Sequence, residues 1–213
     1  MLMTDEELNR YLDRLKVSEL GRNYIRTVRS SPPSRRVRCL WNNVVCRFPS
    51  LKMGITLSLE SQNELAAVYE FEHASNVLAF FEQPEPITLR YRSKSGRPKG
   101  HRHTPDFLVL REDAVGWVEV KEESLLAKRA DATPELFVRE ASGTWRCPPA
   151  EEVAHAYSFL YQVRSCLQFN QDYIRKIVDE HVNKHINHRL LIWSFMNFEW
   201  WCRIFLNGEN IVS

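Results

Sequence analysis

The chain has 213 residues, a formal charge of +2 and 44% hydrophobic residues, a profile that excludes a wholly disordered or membrane-embedded protein. Its length suits one main domain with a small appendage rather than two full domains. Only seven glycines occur, and no G-x-G-x-x-G or G-x-x-x-x-G-K-[ST] run, which excludes dinucleotide-binding and P-loop chemistry.

Apolar residues Leu8, Leu12, Leu15 and Leu20 recur at helical spacing, and Thr4 with Glu7 forms a capping box, so a helix is predicted over 5–20. From Arg22 to Lys52, serines and prolines alternate with arginines and periodicity fades, which predicts an irregular basic arm. Ser58 is a candidate cap for a second helix through Glu60, Glu64, Leu65, Val68, Tyr69 and Phe71, ending near His73–Asn76. Beyond Val77–Phe81 the pattern predicts a β-meander of three strands. Ile87–Arg92 turns back through the Ser93–Gly100 loop, then come Thr104–Arg111 and Gly116–Lys121. A helix from Ser124 is broken by Pro134. Ala150–Phe159 and Asp172–His188 are predicted as helices around a strand, Tyr161–Cys166.

Five cysteines without a C-x-x-C pair point to neither a disulfide framework nor a zinc knuckle. The polar start MLMTDEELNRYL lacks the features of a secretion signal, and a cytoplasmic protein is expected. The apolar run Leu190–Leu206 is interrupted by Glu199 and Arg203 and is too short to span a membrane, so no membrane association is expected.

The near-neutral total hides a strong segregation of charge. Leu20–Leu59 contains no acidic residue and eight basic ones, among them Arg35, Arg36, Arg38 and Lys52. Pro86–Pro105 is also free of acid and carries Arg90, Arg92, Lys94, Arg97, Lys99 and Arg102. Such stretches fit a surface that neutralises phosphates, or equally a solvated charged face.

The chemistry-bearing pattern is Thr104-Pro105-Asp106-Phe107, followed after a turn by Val118-Glu119-Val120-Lys121. Strand alternation puts Glu119 and Lys121 on one face, and cross-strand pairing can bring Asp106 beside Glu119. Two carboxylates and an ammonium at the end of an apolar hairpin demand compensation, which a divalent metal would supply. A surface ion pair is the plain alternative.

Pro-Asp followed by Glu-x-Lys on the next strand resembles the PD-(D/E)xK nuclease superfamily. Upstream, Pro49-Ser50-Leu51-Lys52-Met53-Gly54, Leu59-Glu60-Ser61-Gln62-Asn63-Glu64, Val77-Leu78 and Glu82-Gln83-Pro84 resemble its TnsA-type branch, the endonuclease subunit of heteromeric transposases. The resemblance covers about residues 45–125, with a looser continuation through Tyr161–Ser165. It implies an α/β restriction-endonuclease-like core, a mixed sheet flanked by helices, over 54–170. Residues 1–53 would form a helix and basic arm, and 171–213 a helical, aromatic extension.

It further implies Mg²⁺- or Mn²⁺-dependent hydrolysis of DNA phosphodiesters. Glu64, Asp106, Glu119 and the Val120 carbonyl would be the ligands and Lys121 would attend the attacking water, with Glu60 a fallback for Glu64. Implied partners are double-stranded transposon ends, a TnsB-like transposase and a TnsC-like ATPase regulator. Arg35, Arg36, Arg38, Lys52, Arg97, Lys99 and Arg102 would follow the DNA backbone. A restriction or junction-resolving enzyme of the same fold, or a non-catalytic DNA-binding assembly subunit, are the competing readings. His181, His185 and His188 share a helix face but lack the Glu of a zincin motif. Gln83 is read as a structural residue at a strand entrance, and the Trp193–Phe205 aromatics as core or docking surface.

Overall fold

The computed structural model describes residues 3–33, 46–165, 179–180 and 182–183. Met1–Leu167 form one compact unit and Gln168–Ser213 another. The predicted helix over 172–188, the three histidines, the Trp193–Phe205 aromatics and Arg35, Arg36 and Arg38 lie outside the described residues, except for 179–180 and 182–183.

Thr4 caps the first helix, α1 (Asp5–Arg14), and the capping box with Glu7 forms as expected. The helix does not run to Leu20. The chain passes through Lys16 at φ 53° and restarts at a second cap, Ser18, to form α2 (Glu19–Ser30), where an irregular arm was expected. Leu8, Leu12, Ile25 and Val28 are buried in the common core; Arg26 lies on the exposed face of α2, while Arg22 and Arg29 are largely buried and bond the Val17 and Met3 carbonyls. Gly21 lets α2 close on the turn after α5, because a Cβ there would stand 2.2 Å from the Tyr157 carbonyl oxygen.

β1 (Cys46–Ser50) and β2 (Ile55–Leu59) form an antiparallel hairpin. Pairing with β1 draws 55–59 into a strand, so Ser61 rather than Ser58 caps α3 (Gln62–His73). A four-stranded sheet follows in the order β10-β7-β6-β3, built from β3 (Val77–Glu82), β6 (Phe107–Arg111), β7 (Val115–Lys121) and β10 (Leu160–Ser165). Its β3–β6 and β6–β7 pairs are antiparallel and β7–β10 is parallel, which makes it mixed. Both faces of β6 and β7 are covered, which explains their continuous apolar runs. Phe71 of α3 packs on Phe80 and Phe107 from one side, and Tyr24 and Phe159 meet Trp117 edge-on from the other.

The predicted meander is corrected in one respect. β4 (Ile87–Arg92) pairs with a strand the pattern did not predict, β5 (Pro98–His103), as a separate two-stranded ribbon inserted between β3 and β6. After β7 come α4 (Glu123–Ala132), the short pair β8 (Val138–Arg139) and β9 (Trp145–Arg146), and α5 (Pro148–Ala156). The α/β architecture, a mixed sheet flanked by helices, is that of a restriction-endonuclease-like fold. Among the described residues no helix is long and apolar enough to cross a membrane, and Cys46 and Cys147 are free thiols.

Candidate active site

Three oxygens at the β6 entrance and the β7 exit converge on one point, and the Lys121 ammonium occupies it. Its Nζ lies 2.6 Å from Glu119 Oε1, 3.4 Å from Asp106 Oδ2 and 3.4 Å from the Val120 carbonyl oxygen. Strand alternation puts Glu119 and Lys121 on the same face, and Asp106 reaches them from the neighbouring strand. Asp106 Oδ2 also accepts the Val120 amide at 2.7 Å, which locks the two strands together at the site. Behind Asp106, the Gln83 amide donates to its carbonyl oxygen at 2.9 Å. Gln83 takes φ 44°, a left-handed conformation that is costly for a residue with a Cβ. Its backbone thus serves the structural role expected at a strand entrance.

The group is deeply buried: Glu119 is 1% exposed, Glu64 7% and Asp106 8%. Burial and the neighbouring Glu119 charge push the Asp106 carboxyl far above its ordinary range. For Glu119 burial acts in the same direction, but the contact with His103 and the charge of Lys121 outweigh it and hold this carboxyl below its usual value. Burial disfavours the Lys121 ammonium, yet the two carboxylates win and raise its pKa. Asp106 is thus the carboxyl held high and Glu119 the one held low, with the Lys121 ammonium beside both. Glu64 belongs to the same electrostatic neighbourhood. Burial raises its carboxyl, the Lys121 charge opposes this, and Glu64 in turn raises Asp106.

Glu64 sits in the first turn of α3, where its Oε1 accepts the Ser61 hydroxyl and its Oε2 the Glu60 amide. Glu60 precedes the helix instead of standing one turn earlier on it, so it supports Glu64 through its backbone. The site gains two residues that the motif did not contain. His103 Nε2 lies 3.3 Å from Glu119 Oε2 and 2.8 Å from the Tyr161 hydroxyl. Its position three residues before Asp106 is the sequence signal for His103. Tyr161 lies on the strand beside β7, opposite Trp117.

The expected DNA contacts divide. Arg97, Lys99 and Arg102 are exposed on the β4–β5 ribbon and its turn. Lys52 is not available: its Nζ donates to the carbonyls of Phe71, Ala74 and Val77 at 2.7, 2.8 and 2.8 Å, clamping the end of α3. Three acceptors use all three ammonium hydrogens, and Lys52 leaves the set of candidate phosphate contacts.

As to a metal, no group of three His, Cys, Asp or Glu side chains among the described residues is placed to hold one. The fit rests instead on two carboxylates and a main-chain oxygen, all already gathered around a cation, the Lys121 ammonium. Glu119 Oε2 is also buried, with His103 Nε2 3.3 Å away but no hydrogen bond of good geometry. Hard oxygen donors of this kind suit Mg²⁺ or Mn²⁺.

Comparison with protein families finds a match over residues 74–154 to the family described as TnsA-like endonuclease N terminal. No curated protein matches the chain. The matched segment runs from the end of α3 into α5 and contains Asp106, Glu119, Lys121 and the β4–β5 ribbon, while Glu64 and β10 lie outside it. Over this segment the chain is similar to the TnsA-type endonucleases, a likeness that supports a nuclease related to transposition.

Proposed function

We propose that this chain is the metal-dependent DNA endonuclease subunit of a transposase, hydrolysing phosphodiester bonds at the 5′ ends of the transposon. The reading rests on the convergence of Asp106, Glu119 and the Val120 carbonyl on the Lys121 ammonium, inside a segment of TnsA-like family. A nuclease core over 54–170 carries the site, between an N-terminal portion, 1–53, and a C-terminal extension, 171–213.

Asp106, Glu119, the Val120 carbonyl and, from α3, Glu64 would hold Mg²⁺ or Mn²⁺. A divalent ion there supplies Lewis acidity toward the phosphate and lowers the pKa of water. The remaining work falls to the chain. A divalent cation held beside Asp106 would bring its carboxyl down again, against the burial and the Glu119 charge that hold it high. Lys121, already beside both carboxylates, offsets charge on the scissile phosphate and orients the attacking water. Gln83 and the Val120 amide hold Asp106 in place. Water oxygen bonds to phosphorus, the P–O3′ bond breaks, and a 5′-phosphate and a 3′-hydroxyl are left.

A TnsB-like transposase would recognise the ends and process the other strand, and a TnsC-like ATPase would link the pair to target choice. Arg97, Lys99 and Arg102 contact the duplex. Arg35, Arg36 and Arg38 are proposed for the same role on sequence alone. The test is a reaction reconstituted with the partner transposase on transposon ends. Asp106→Asn is expected to abolish 5′-end cleavage while the partner's strand cut persists; unchanged 5′-end cleavage overturns the reading.

A further inference from the structure

The β4–β5 ribbon and its turn gather six basic side chains in one acid-free stretch. Arg22, Arg29, Arg139, Arg146 and Arg164 each meet a carboxylate, and Lys121 meets two. Among the described residues none of the six basic side chains of Pro86–Pro105 forms an ion pair. Their only side-chain bonds in the described structure go to carbonyls, Arg92 to Gly96 and Lys94 to Asp131. This is a concentration of positive charge that the fold itself leaves unneutralised.

The register sorts these charges. Opposed residues of an antiparallel pair share a face, so Ile87/His103, Leu89/His101 and Tyr91/Lys99 form one side of the ribbon. Ile87 and Leu89 are buried, which makes that side the packed one toward its base. The other side consists of Thr88/Arg102, Arg90/Gly100 and Arg92/Pro98, and its three arginines are exposed. Gly100 and Pro98 present no long side chain beside Arg90 and Arg92, and the one bond of these two guanidinium groups is that of Arg92 to the exposed Gly96 carbonyl. Arg90 and Arg92 are about 7 Å apart along the strand, close to two base-pair rises of about 3.4 Å each.

We propose that this ribbon enters the major groove of duplex DNA and that Arg90, Arg92 and Arg102 contact base edges there. The proposal rests on the nuclease reading for the identity of the polymer and goes beyond it in giving the chain a selectivity of its own. A two-stranded β-ribbon fits the major groove, about 12 Å wide, and arginine is suited to the paired acceptors of guanine. The anchoring favours a reading role over loose attraction. β5 ends at His103, whose ring holds the Tyr161 hydroxyl and touches Glu119, and Asp106 follows three residues later. The arginine face thus stands at a fixed offset from the carboxylates, and base contacts made by it set which phosphate is cut.

The experiment measures binding of the full chain, in EDTA to prevent cleavage, to a short G·C-rich duplex. A second duplex has the same sequence but glucosylated 5-hydroxymethylcytosine, which fills the major groove. The wild type is expected to bind the blocked duplex about tenfold or more weakly, the worth of one arginine–guanine pair. The exposed triple variant Arg90→Ala/Arg92→Ala/Arg102→Ala is expected to bind both duplexes equally and more weakly than the wild type binds the open one. Equal binding of both duplexes by the wild type overturns the proposal, as does a triple variant that still discriminates. If that happens while Mn²⁺-dependent cleavage persists, the nuclease reading stands and only the ribbon's role falls. Absence of any duplex binding by the chain overturns the ribbon proposal, and the nuclease reading is then decided by the reconstituted cleavage reaction.

Discussion

Lys52 and Lys99 come from the two acid-free stretches of the sequence, carry the same charge, and are used in opposite ways. Lys52 is half-buried and gives all its donors to the carbonyls at the end of α3, where the Ser50 hydroxyl and the Lys52 amide also hold Glu72. Lys99 is exposed on a ribbon whose basic side chains form no ion pair among the described residues. The first stretch is largely incorporated into the fold where it is described, through α2, β1 and the Lys52 clamp, and the second stands outside the sheet. The lesson is that a run of positive charge identifies a phosphate-binding surface only after the donors already used by the protein are subtracted. Lys121 is a third case, a half-buried ammonium whose partners are the carboxylates of the candidate site.

The largest effect should follow from this third lysine. Lys121→Met is expected to cut the cleavage rate by about a thousandfold, the scale of losing a preorganised charge at a reacting phosphate. Single-turnover rates on end-containing DNA check it. A loss of less than about tenfold would return Lys121 to the structural class of Lys52.

Next, Lys52→Met removes three charge-assisted hydrogen bonds and should lower unfolding free energy by about 2–4 kcal/mol. Duplex affinity of the folded protein should be unchanged. Urea titration and a binding isotherm measure the two quantities, and a weakened affinity at unchanged stability would erase the contrast with the ribbon. In the reciprocal experiment, Arg97→Ala/Lys99→Ala should leave stability unaltered. It should reduce the slope of log K against log salt by about 1–2, one unit for each phosphate no longer neutralised.

The smallest effect concerns Glu82, beside the Glu64 neighbourhood. Burial raises its carboxyl to about 7, against the hydrogen bond from the Ser58 amide. Its folded pKa exceeds the unfolded one. Its contribution is therefore complete below the unfolded value and is lost as pH rises from about 4.5 toward 7. Glu82→Gln keeps the acceptor for Ser58 and removes the titration. It should raise stability above pH 7 by on the order of 1 kcal/mol, reduced because the group retains part of its solvent, and leave stability at pH 4 nearly unchanged. Thermal unfolding midpoints across that range provide the check.

The convergence of Asp106, Glu119 and Lys121 was more legible in the sequence than the connections around it. Asp106, Glu119 and Lys121 are set by strand alternation and one tight turn, and local geometry suffices to bring them together. Glu64 required the resemblance, because nothing in its helix pattern distinguishes it from Glu60; the Ser61 cap decides where the helix starts. The ribbon partner β5 was missed because Pro98-Lys99-Gly100-His101-Arg102-His103 has no apolar alternation. Its strand form comes from the register with β4, a tertiary effect that propensity does not carry. The break between α1 and α2 was hidden for a similar reason. Leu15 and Leu20 continue the helical period of α1, but the turn at Lys16 and the cap at Ser18 reset it. Lys52 shows the limit on the functional side, since its three acceptors lie about twenty residues downstream in the chain.

The central proposal is a divalent-metal centre formed by Asp106 and Glu119 with Lys121 beside it. It is tested most directly by calorimetric titration of Mn²⁺ into the full chain and into the Asp106→Asn variant, with folding verified by circular dichroism. Saturable binding near one ion per chain, with release of a proton from Asp106, and its loss in the variant are the predicted result. Binding of equal strength by both proteins, or by neither, would contradict it.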